Sequence, residues 1–362
     1  MKMKKFVSLC LSLVMAMSLL SGCGGEEPAP APEAEKEPTQ SEETAQPSGA
    51  PEVTWIASCA NTEDHPAVQG VMKFAELVEE KSSGRMHIDV FHSAQLASDR
   101  DCIEGMQMNT IQSGIMVASA LASFTDAFLA FDLPFLFENS EQGQKLCDSQ
   151  VGIDMLAKLD DVGIKGLGFM EYGMRNITNS KLPITAPADM KGIKIRTMEN
   201  PIHMEAFSAM GADPTPMAFG ELFTALQQGT VDGQENPLGI ITGNKFEEVE
   251  KYCTLTEHVY TPYYVVMNMD KWNSLTPEQQ DALTRAMEET TAYQYELSQQ
   301  YEDEATSVME EAGCAVRTLS DQEKLSFKEA ADQANSFDAA KELMYRPELA
   351  DQMAAELDSY RQ

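Results

Sequence analysis

A basic pair on a short predicted strand is the feature of this sequence with the clearest chemistry. Residues 193–198 read IKIRTM, so the two isoleucines fall on one face of a strand, and Lys194 and Arg196 fall on the other. Arg196 lies at the C-terminal end of this strand, which is where ligands bind in open α/β sheets. Its planar guanidinium can donate two parallel hydrogen bonds to a carboxylate. We predict that Arg196 binds a ligand carboxylate; an arginine that is solvated or paired with a structural acid is the alternative.

A second polar stretch, VDGQENP at residues 231–237, follows an apolar helical segment. Gly233 permits a tight turn, and Pro237 biases Asn236 away from the helical conformation. The Asn236 amide can both donate and accept hydrogen bonds. The stretch therefore predicts a rigid turn that presents Asn236 to a cleft, and a turn that caps its own backbone is the alternative.

Charge and cysteine usage exclude several classes of function. The 362 residues carry a formal net charge of −32, which argues against nucleic acid and anionic lipid surfaces as partners. An acidic protein that binds acids needs a local positive site. The chain lacks G-x-S-x-G, H-E-x-x-H and C-x-x-C motifs, so we predict no catalysis, no metal and no cofactor. The five cysteines beyond Cys23 are scattered, which predicts buried apolar thiols and leaves one or two disulfides open.

The N-terminus has the layout of a secretory signal. Three lysines in the first five residues precede an uncharged apolar run at residues 6–20. That run has about 15 residues, fewer than the roughly 20 that span a bilayer. Leu20-Ser21-Gly22-Cys23 resembles a bacterial lipobox, so we predict a signal peptide at 1–22 and lipidation of Cys23. An ordinary cleaved signal is the alternative.

Residues 23–52 predict a disordered tether between this lipid anchor and the folded body. The stretch is rich in Pro, Glu, Ala and Ser and has no large apolar residue that would form a core. Its prolines and like charges favour an extended chain. We expect an extracytoplasmic protein anchored to a membrane, either in a periplasm or on the outer face of a Gram-positive membrane.

Residues 53–362 predict two α/β lobes. A β-α-β-α-β pattern over residues 53–117 indicates a first lobe with a mainly parallel sheet, and a second set of strands and helices begins near Arg175. The predicted strands are 53–57, 86–91, 111–117, 166–169, 193–196 and 263–267, and the predicted helices are 67–81, 98–108, 140–160, 201–210, 221–228 and 276–313. The last helix would be about 50 Å long, so it must run along both lobes. We expect lobe I to comprise 53–173 and about 262–300, and lobe II to comprise 174–261 and about 301–362.

Several segments together resemble the DctP-type solute-binding proteins of tripartite ATP-independent periplasmic (TRAP) transporters, here in a lipoprotein form. The resemblance covers about residues 53–320 and is most specific at 211–262. The segments that carry it are QLASDRD (95–101), FDLPFLF (131–137), YGMRNITNSKLPI (172–184), DMKGIKIRTMENP (189–201), GADPTPMAFGELFTALQQGTVDGQENP (211–237) and KFEEVEKYCTLTEHVYTPY (245–263).

The resemblance implies a periplasmic-binding-protein-like fold with a hinge, an inter-lobe cleft and a long helix spanning both lobes. It implies a small organic acid as ligand and a membrane permease, driven by an ion gradient, as partner. The arginine that pairs with the ligand carboxylate falls on Arg196, and further ligand contacts fall on Arg175, Asn236 and Phe219. Gly220 stands where the family usually has a serine, which removes a helix N-cap.

Other interpretations of these residues remain open. Arg175 would alternatively form a salt bridge at the hinge, and Phe219 would belong to the core. Asp99 and Ser119 are candidates in the first lobe, with a charge at a helix N-terminus and a surface pair as the alternative role of Asp99. His65 is a candidate beside the first strand, although structural histidines are commoner.

The same site residues would also serve a ligand sensor that presents its closed form to a surface receptor. An envelope hydrolase is disfavoured by the missing motifs. The sequence leaves the acid itself open among monocarboxylates, dicarboxylates, sugar acids, keto acids and aromatic acids.

Overall fold

The computed structural model describes residues 51–333 and 337–360. The predicted signal peptide, Cys23 and nearly all of the tether lie outside these residues. The strands are β1 (Val53–Ser58), β2 (Met86–Phe91), β3 (Ser113–Val117), β4 (Ile164–Met174), β5 (Asn176–Asn179), β6 (Lys194–Thr197), β7 (Asp213–Pro216), β8 (Gly233–Asn236), β9 (Tyr252–Leu255), β10 (Tyr260–Asn268) and β11 (Ala315–Thr318).

The helices alternate with these strands through most of the chain. They are α1 (Pro66–Lys81), α2 (Asp99–Gln107), α3 (Ala118–Leu121), α4 (Ser140–Asp148), α5 (Gln150–Leu156), α6 (Pro201–Ala209), α7 (Leu222–Gln228), α8 (Leu238–Gly243), α9 (Met269–Asn273), α10 (Pro277–Glu311), α11 (Asp321–Asp332), α12 (Phe337–Glu342) and α13 (Pro347–Tyr360). Within residues 51–333 and 337–360, no helix has the length and apolar character to cross a membrane.

The first lobe contains a five-stranded sheet in the order β2-β1-β3-β10-β4. β1 pairs in parallel with β2 and β3, whereas β10 runs antiparallel to both β3 and β4. The sheet is therefore mixed rather than mainly parallel, because β10 enters it from the second lobe in the opposite direction. The predicted α/β character of the lobe is confirmed.

The second lobe contains a six-stranded sheet in the order β11-β9-β5-β8-β6-β7. The segment that we predicted as a turn, Gly233–Asn236, is the strand β8 in the middle of this sheet, and all four residues are buried. The prediction of a turn is wrong because the polar side chains of this strand pair with one another and with neighbours inside the lobe. Gly233 is required by a close approach of backbones, since a Cβ there would lie 2.3 Å from the carbonyl oxygen of Thr178.

Two of the crossings between the sheets are short segments that lie side by side. One crossing is at Arg175, between β4 and β5, and the other is at residues 256–259, between β9 and β10. The backbone N–H of Arg175 donates to the carbonyl of Val259 at 2.8 Å, and the N–H of His258 donates to the carbonyl of Arg175 at 3.1 Å. A hinge motion between the lobes would bend the chain at these two hydrogen-bonded segments.

Helix α10 braces both lobes. It has 35 residues, which corresponds to about 52 Å, and Thr276 and Gln279 form a capping box at its start. It packs against α1 and β4 of the first lobe and against α8 and β11 of the second. The predicted long helix along both lobes is confirmed.

The segment predicted as one helix over 140–160 is broken into α4, α5 and a 3₁₀ turn over Ala157–Val162. Ser149 caps the new start by accepting from the N–H of Gly152. Gly152 has no room for a side chain, because a Cβ would lie 2.3 Å from the carbonyl of Leu146. Ile153, in the middle of α5, is 53% exposed.

The C-terminal segment returns to the first lobe. β11 and α11 belong to the second lobe, whereas α13 packs against α4 and α5. Arg346, just before α13, bonds to Thr125, Asp126 and Asp161 of the first lobe. The expected lobe boundary is wrong here, because the apolar stripe of α13 indicates burial but not the lobe that receives it. The five cysteines of the described residues are all buried and free.

Candidate functional site

A cavity opens between the two lobes. It encloses about 780 Å³ of space up to and including its mouth. The first lobe contributes the end of β3 and the starts of α2 and α3, and the second lobe contributes the end of β6 and the segment that follows β7. Its side chains from the second lobe are Arg196, Met198, Glu199, Met217, Ala218 and Phe219.

Arg196 is the central cation of this cavity. Its residue is only 2% exposed, yet among the described residues its guanidinium forms no ion pair with an Asp or Glu side chain. Its Nε and Nη2 atoms donate to the carbonyl oxygen of Met217 at 3.0 and 2.8 Å, which fixes the plane of the group. Burial lowers the pKa of Arg196 to about 10, against an opposing effect of Glu235, so the group is charged at neutral pH. A buried and oriented guanidinium without an acidic partner has the charge and geometry that suit a carboxylate.

Phe219 lines the cavity beside Arg196. The guanidinium carbon lies 5.9 Å from the centre of the Phe219 ring, within the range of a cation–π contact. The Phe219 ring also contacts Phe246 edge to face, with ring centres 5.9 Å apart. Phe219 therefore walls the cavity and also joins the core, as the two sequence interpretations proposed separately.

Asp99 faces the cavity from the first lobe, at the first position of α2. Burial raises the pKa of its carboxyl to about 6, while Arg196 acts in the opposite direction. The cavity thus places a cation on the second lobe and a carboxyl group on the first lobe without an ion pair between them. This arrangement leaves both groups available to a ligand.

Ser119 also lines the cavity, at the start of α3. Its hydroxyl donates to the buried carboxylate of Asp132. Asp132 also accepts from Asn200 Nδ2 at 2.7 Å and lies 3.0 Å from His203 Nε2. Asn200 and His203 belong to the second lobe, so this carboxylate connects the lobes behind the cavity.

Arg175 and Asn236 are not among the residues that line the cavity, so their role as ligand contacts stays a prediction. Arg175 is fully buried and forms a bidentate pair with Glu235, with Nε–Oε2 at 2.5 Å and Nη2–Oε1 at 2.8 Å. Asn236 Oδ1 accepts from Arg175 Nη2 at 3.0 Å and from the hydroxyl of Tyr172 at 2.6 Å. Both groups lie behind Tyr172, whose ring forms the cavity wall. The alternative interpretation of Arg175, an ion pair at the hinge, is the one that the structure contains.

His65 also lies away from the cavity. Its Nδ1 atom accepts from the N–H of Ala67 at 3.0 Å and caps helix α1, while its ring packs against Gly243. Burial lowers the pKa of His65 to about 3, so the ring is neutral. In this structure His65 has a structural role as the cap of α1, and its predicted ligand contact stays a prediction.

Sequence reasoning missed the aromatic and amide groups of the first-lobe wall. Tyr172 and Tyr263 pack edge to face, with ring centres 4.4 Å apart, and Asn61 Nδ2 donates to the Tyr263 hydroxyl at 2.5 Å. All three residues line the cavity. On a predicted strand, a tyrosine that faces a cavity has the same pattern as one that faces the core, so spacing alone gave no signal.

The architecture is that of a solute-binding protein. Two α/β lobes are joined by paired crossing strands and one long helix, and an unpaired guanidinium lies in the cavity between them. Residues 57–341 match the family described as DctP, bacterial extracellular solute-binding protein, family 7. The chain belongs to this family of TRAP transporter solute-binding proteins.

Known relatives agree with this assignment. The chain is 36% identical over 258 residues to the 2,3-diketo-L-gulonate-binding periplasmic protein YiaO of Escherichia coli, covering 71% of this chain and 78% of that protein. It is 34% identical over 254 residues to the C4-dicarboxylate-binding periplasmic protein DctP of Rhodobacter capsulatus, covering 69% and 75%. Its structure matches the sugar acid binding protein DctPAm of Advenella mimigardefordensis, in complex with galactonate, with a TM-score of 0.82, 32% identity and coverage of 86% and 99%.

The predicted family, the two-lobed fold and the assignment as a binding protein rather than an enzyme are thereby confirmed. The family also places the protein outside the cytoplasm.

Proposed function

We propose that this protein captures a small organic acid by pairing the ligand carboxylate with Arg196 and delivers it to a membrane permease. The observation that carries the proposal is the buried guanidinium of Arg196, which has no acidic partner among the described residues. The ligands named for relatives, which are a diketogulonate, C4-dicarboxylates and galactonate, all carry a carboxylate.

Capture would proceed by closure of the lobes over the ligand. Arg196 and Phe219 would hold the carboxylate end from the second lobe, while Asp99, Ser119 and Tyr172 would contact the rest of the molecule from the first lobe. Hinge bending at the paired crossing strands would exclude water from the cavity. Removal of water strengthens the ion pair between Arg196 and the carboxylate.

Arg175 and Asn236 would act from behind the wall. Arg175 Nη1 is buried and has no hydrogen-bond partner, although the other nitrogens of the group are engaged. A small shift of Tyr172 on closure would bring this donor toward the ligand. We retain Arg175 and Asn236 as supporting groups in the closed form.

Cys23 would hold the protein on the membrane. The proposal rests on the lipobox-like residues 20–23 and on the acidic tether at 24–52. Two or three acyl chains would give stable anchoring at about 0.8 kcal/mol per buried CH₂. Radiolabelled palmitate should enter the full-length protein, and Cys23→Ala should abolish the label and release the protein from membranes. Label that persists in Cys23→Ala would refute anchoring at this residue.

A thermal-shift panel tests the ligand class. The body, residues 51–362, would be screened against galactonate, succinate and diketogulonate, with galactitol and galactose as neutral controls. A bound acid at 100 times its Kd should add about 2.7 kcal/mol to the free energy of unfolding, whereas the neutral controls should add nothing. Stabilisation by the neutral compounds and by none of the acids would overturn the proposal.

A further inference from the structure

The two lobes meet at the mouth of the cavity, at Ala94 of the first lobe and Gly220 of the second. A Cβ atom on Gly220 would lie 3.7 Å from the Cβ of Ala94, which is ordinary van der Waals contact. Gly220 follows Phe219, which lines the cavity. Ala94 belongs to the loop 92–97, which leads directly into Ser98, another cavity residue. The contact therefore lies on the rim of the cavity.

The loop 92–97 is held in a strained conformation. Ser93 and Ala94 have φ angles of 53° and 52°, in the left-handed region that residues other than glycine rarely adopt. Such strain persists where surrounding contacts enforce it, and it is common at ligand clamps and switches. The N–H of Ser93 donates to the carbonyl of Asn61 at 2.6 Å, and the N–H of Ala94 donates to the carbonyl of Cys59 at 3.1 Å. These hydrogen bonds fix Ala94 in position against the second lobe.

Both sides of this contact are attached to residues that line the cavity. Asn61, whose carbonyl holds the strained loop, lies on the cavity wall, and its side chain donates to the Tyr263 hydroxyl. On the second lobe, Arg196 donates twice to the carbonyl of Met217, three positions before Gly220. A ligand held between the Asn61 wall and Arg196 therefore acts on both sides of the mouth.

We infer that Ala94 and Gly220 form the gate of the cavity: their contact closes the mouth over a bound acid and must break before the acid leaves. The inference rests on the proposed function, because it takes the cavity as the ligand site. The strained loop moves as a rigid part of the first lobe, so hinge bending opens and closes the gate.

An engineered disulfide tests the gate directly. The Cβ atoms of bridged cysteines lie about 3.5–4.5 Å apart, so the 3.7 Å between the Cβ positions suits the variant Ala94→Cys/Gly220→Cys. The five native cysteines of the body are buried, which protects them from an added oxidant. Oxidised glutathione would be added to the body, residues 51–362, with and without the best-binding acid among galactonate, succinate and diketogulonate.

The cross-linked protein should trap or exclude this acid. Because the closed gate cannot open, radiolabelled acid bound before oxidation should leave at least about 100-fold more slowly than it leaves the same variant after reduction with dithiothreitol. Protein oxidised without acid should take up none until it is reduced. Neither single cysteine variant should trap the acid under the same oxidant, since its thiol has no partner at the gate.

Smaller substitutions give a second arm that needs no cross-link. Gly220→Ala adds a methyl group that contacts Ala94 only in the closed form, so release should slow by about twofold. In the Ala94→Gly background the added methyl group has no partner, and the release rate should not change. Gly239→Ala is the control, because its Cβ would lie 3.7 Å from the Cβ of Tyr301 on α10, away from the cavity. The control should keep the wild-type release rate.

The outcomes separate the gate from the proposed function. If the acid binds but enters and leaves the cross-linked protein as fast as the reduced form, the inference alone is wrong. It is also wrong if no disulfide forms in the liganded variant, or if Gly220→Ala slows release equally with and without the Ala94 methyl group. If none of the three acids binds the wild-type body, or if Arg196→Gln binds them normally, the proposed function fails and the inference fails with it.

Discussion

The substitution Glu235→Gln tests the buried ion pair that joins the two lobes behind the cavity. Glu235 accepts two hydrogen bonds from Arg175, and His258 Nε2 lies 3.2 Å from its Oε2 atom. The side chains of all three residues are at most 1% exposed. Glutamine retains the shape of the side chain, but its amide N–H₂ would face the N–H donors of Arg175. The charge of Arg175 would then have no partner.

The expected cost follows from this burial. Removal of one partner from a buried ion pair destabilises a protein by about 3–5 kcal/mol. The entropy of unfolding is about 2.1 cal/mol/K per residue, or about 0.65 kcal/mol/K for a body of roughly 310 residues. A loss of ~4 kcal/mol therefore lowers Tm by about 6 °C. Burial favours the neutral form of Glu235, but Arg175 outweighs it and holds the pKa of Glu235 well below its usual range.

Calorimetry and urea unfolding of the body at pH 7 would measure this loss. Asp281→Asn is a control, because Asp281 pairs with Arg285 on the exposed face of α10 and should cost at most about 0.5 kcal/mol. The double variant Arg175→Gln/Glu235→Gln should lose less than the sum of the two single variants. A loss below about 1 kcal/mol for Glu235→Gln would refute the interpretation of the pair as tightly coupled.

Two further predictions concern stability and the C-terminal segment. Burial raises the pKa of Glu171 and Glu250 to about 8 and that of Glu302 to about 7. Their folded pKa values exceed the unfolded values, so the stability they contribute is full below about pH 4.5 and falls as pH rises through 7–8. Urea unfolding of the unliganded body should show at least ~2 kcal/mol more stability at pH 5 than at pH 8, and a flat or rising profile would contradict these assignments. Arg346→Ala removes the bonds to Asp126 of the first lobe. Amide hydrogen exchange in α13 should therefore accelerate at least 10-fold, while exchange in α10 stays unchanged. Equal exchange in wild type and variant would exclude an anchoring role for Arg346.

Local sequence patterns predicted the helices and strands of the two lobes well where a single local signal was clear. The strand Met86–Phe91 has the predicted bounds, because its alternation and flanking Gly84 agree. The predicted start of the long helix at residue 276 also agrees with the structure, in which Thr276 caps α10. These are cases in which hydrophobic period and capping chemistry indicate the same structure.

The failures occur where tertiary contacts override local chemistry. Gly233–Asn236 is composed of residues typical of turns, yet it forms a central strand because Arg175 and neighbouring amides pair with its side chains inside the lobe. A single sequence does not contain the identity of those partners. For the same reason, Arg175 was predicted at the ligand, although a carboxylate of its own protein neutralises it.

The cavity residues at the ends of strands and helices were predicted from the sequence, whereas those within strands were not. Arg196, Asp99, Ser119 and Phe219 lie at ends of strands or starts of helices, where sequence position indicates the edge of a sheet. The tyrosine wall lies within strands, where the direction of a side chain depends on how two lobes face each other. That arrangement is a property of the whole fold rather than of any segment.

Isothermal titration of the best-binding acid into the Arg196→Gln variant of the body tests the central claim most directly. Truncation of one partner of a buried charge pair costs roughly 2–5 kcal/mol, so Kd should rise about 30-fold or more. Lys194→Gln, two positions earlier on the same strand but exposed, should change Kd by less than about twofold. An Arg196→Gln variant that is folded and binds the acid within about threefold of wild type would contradict the account.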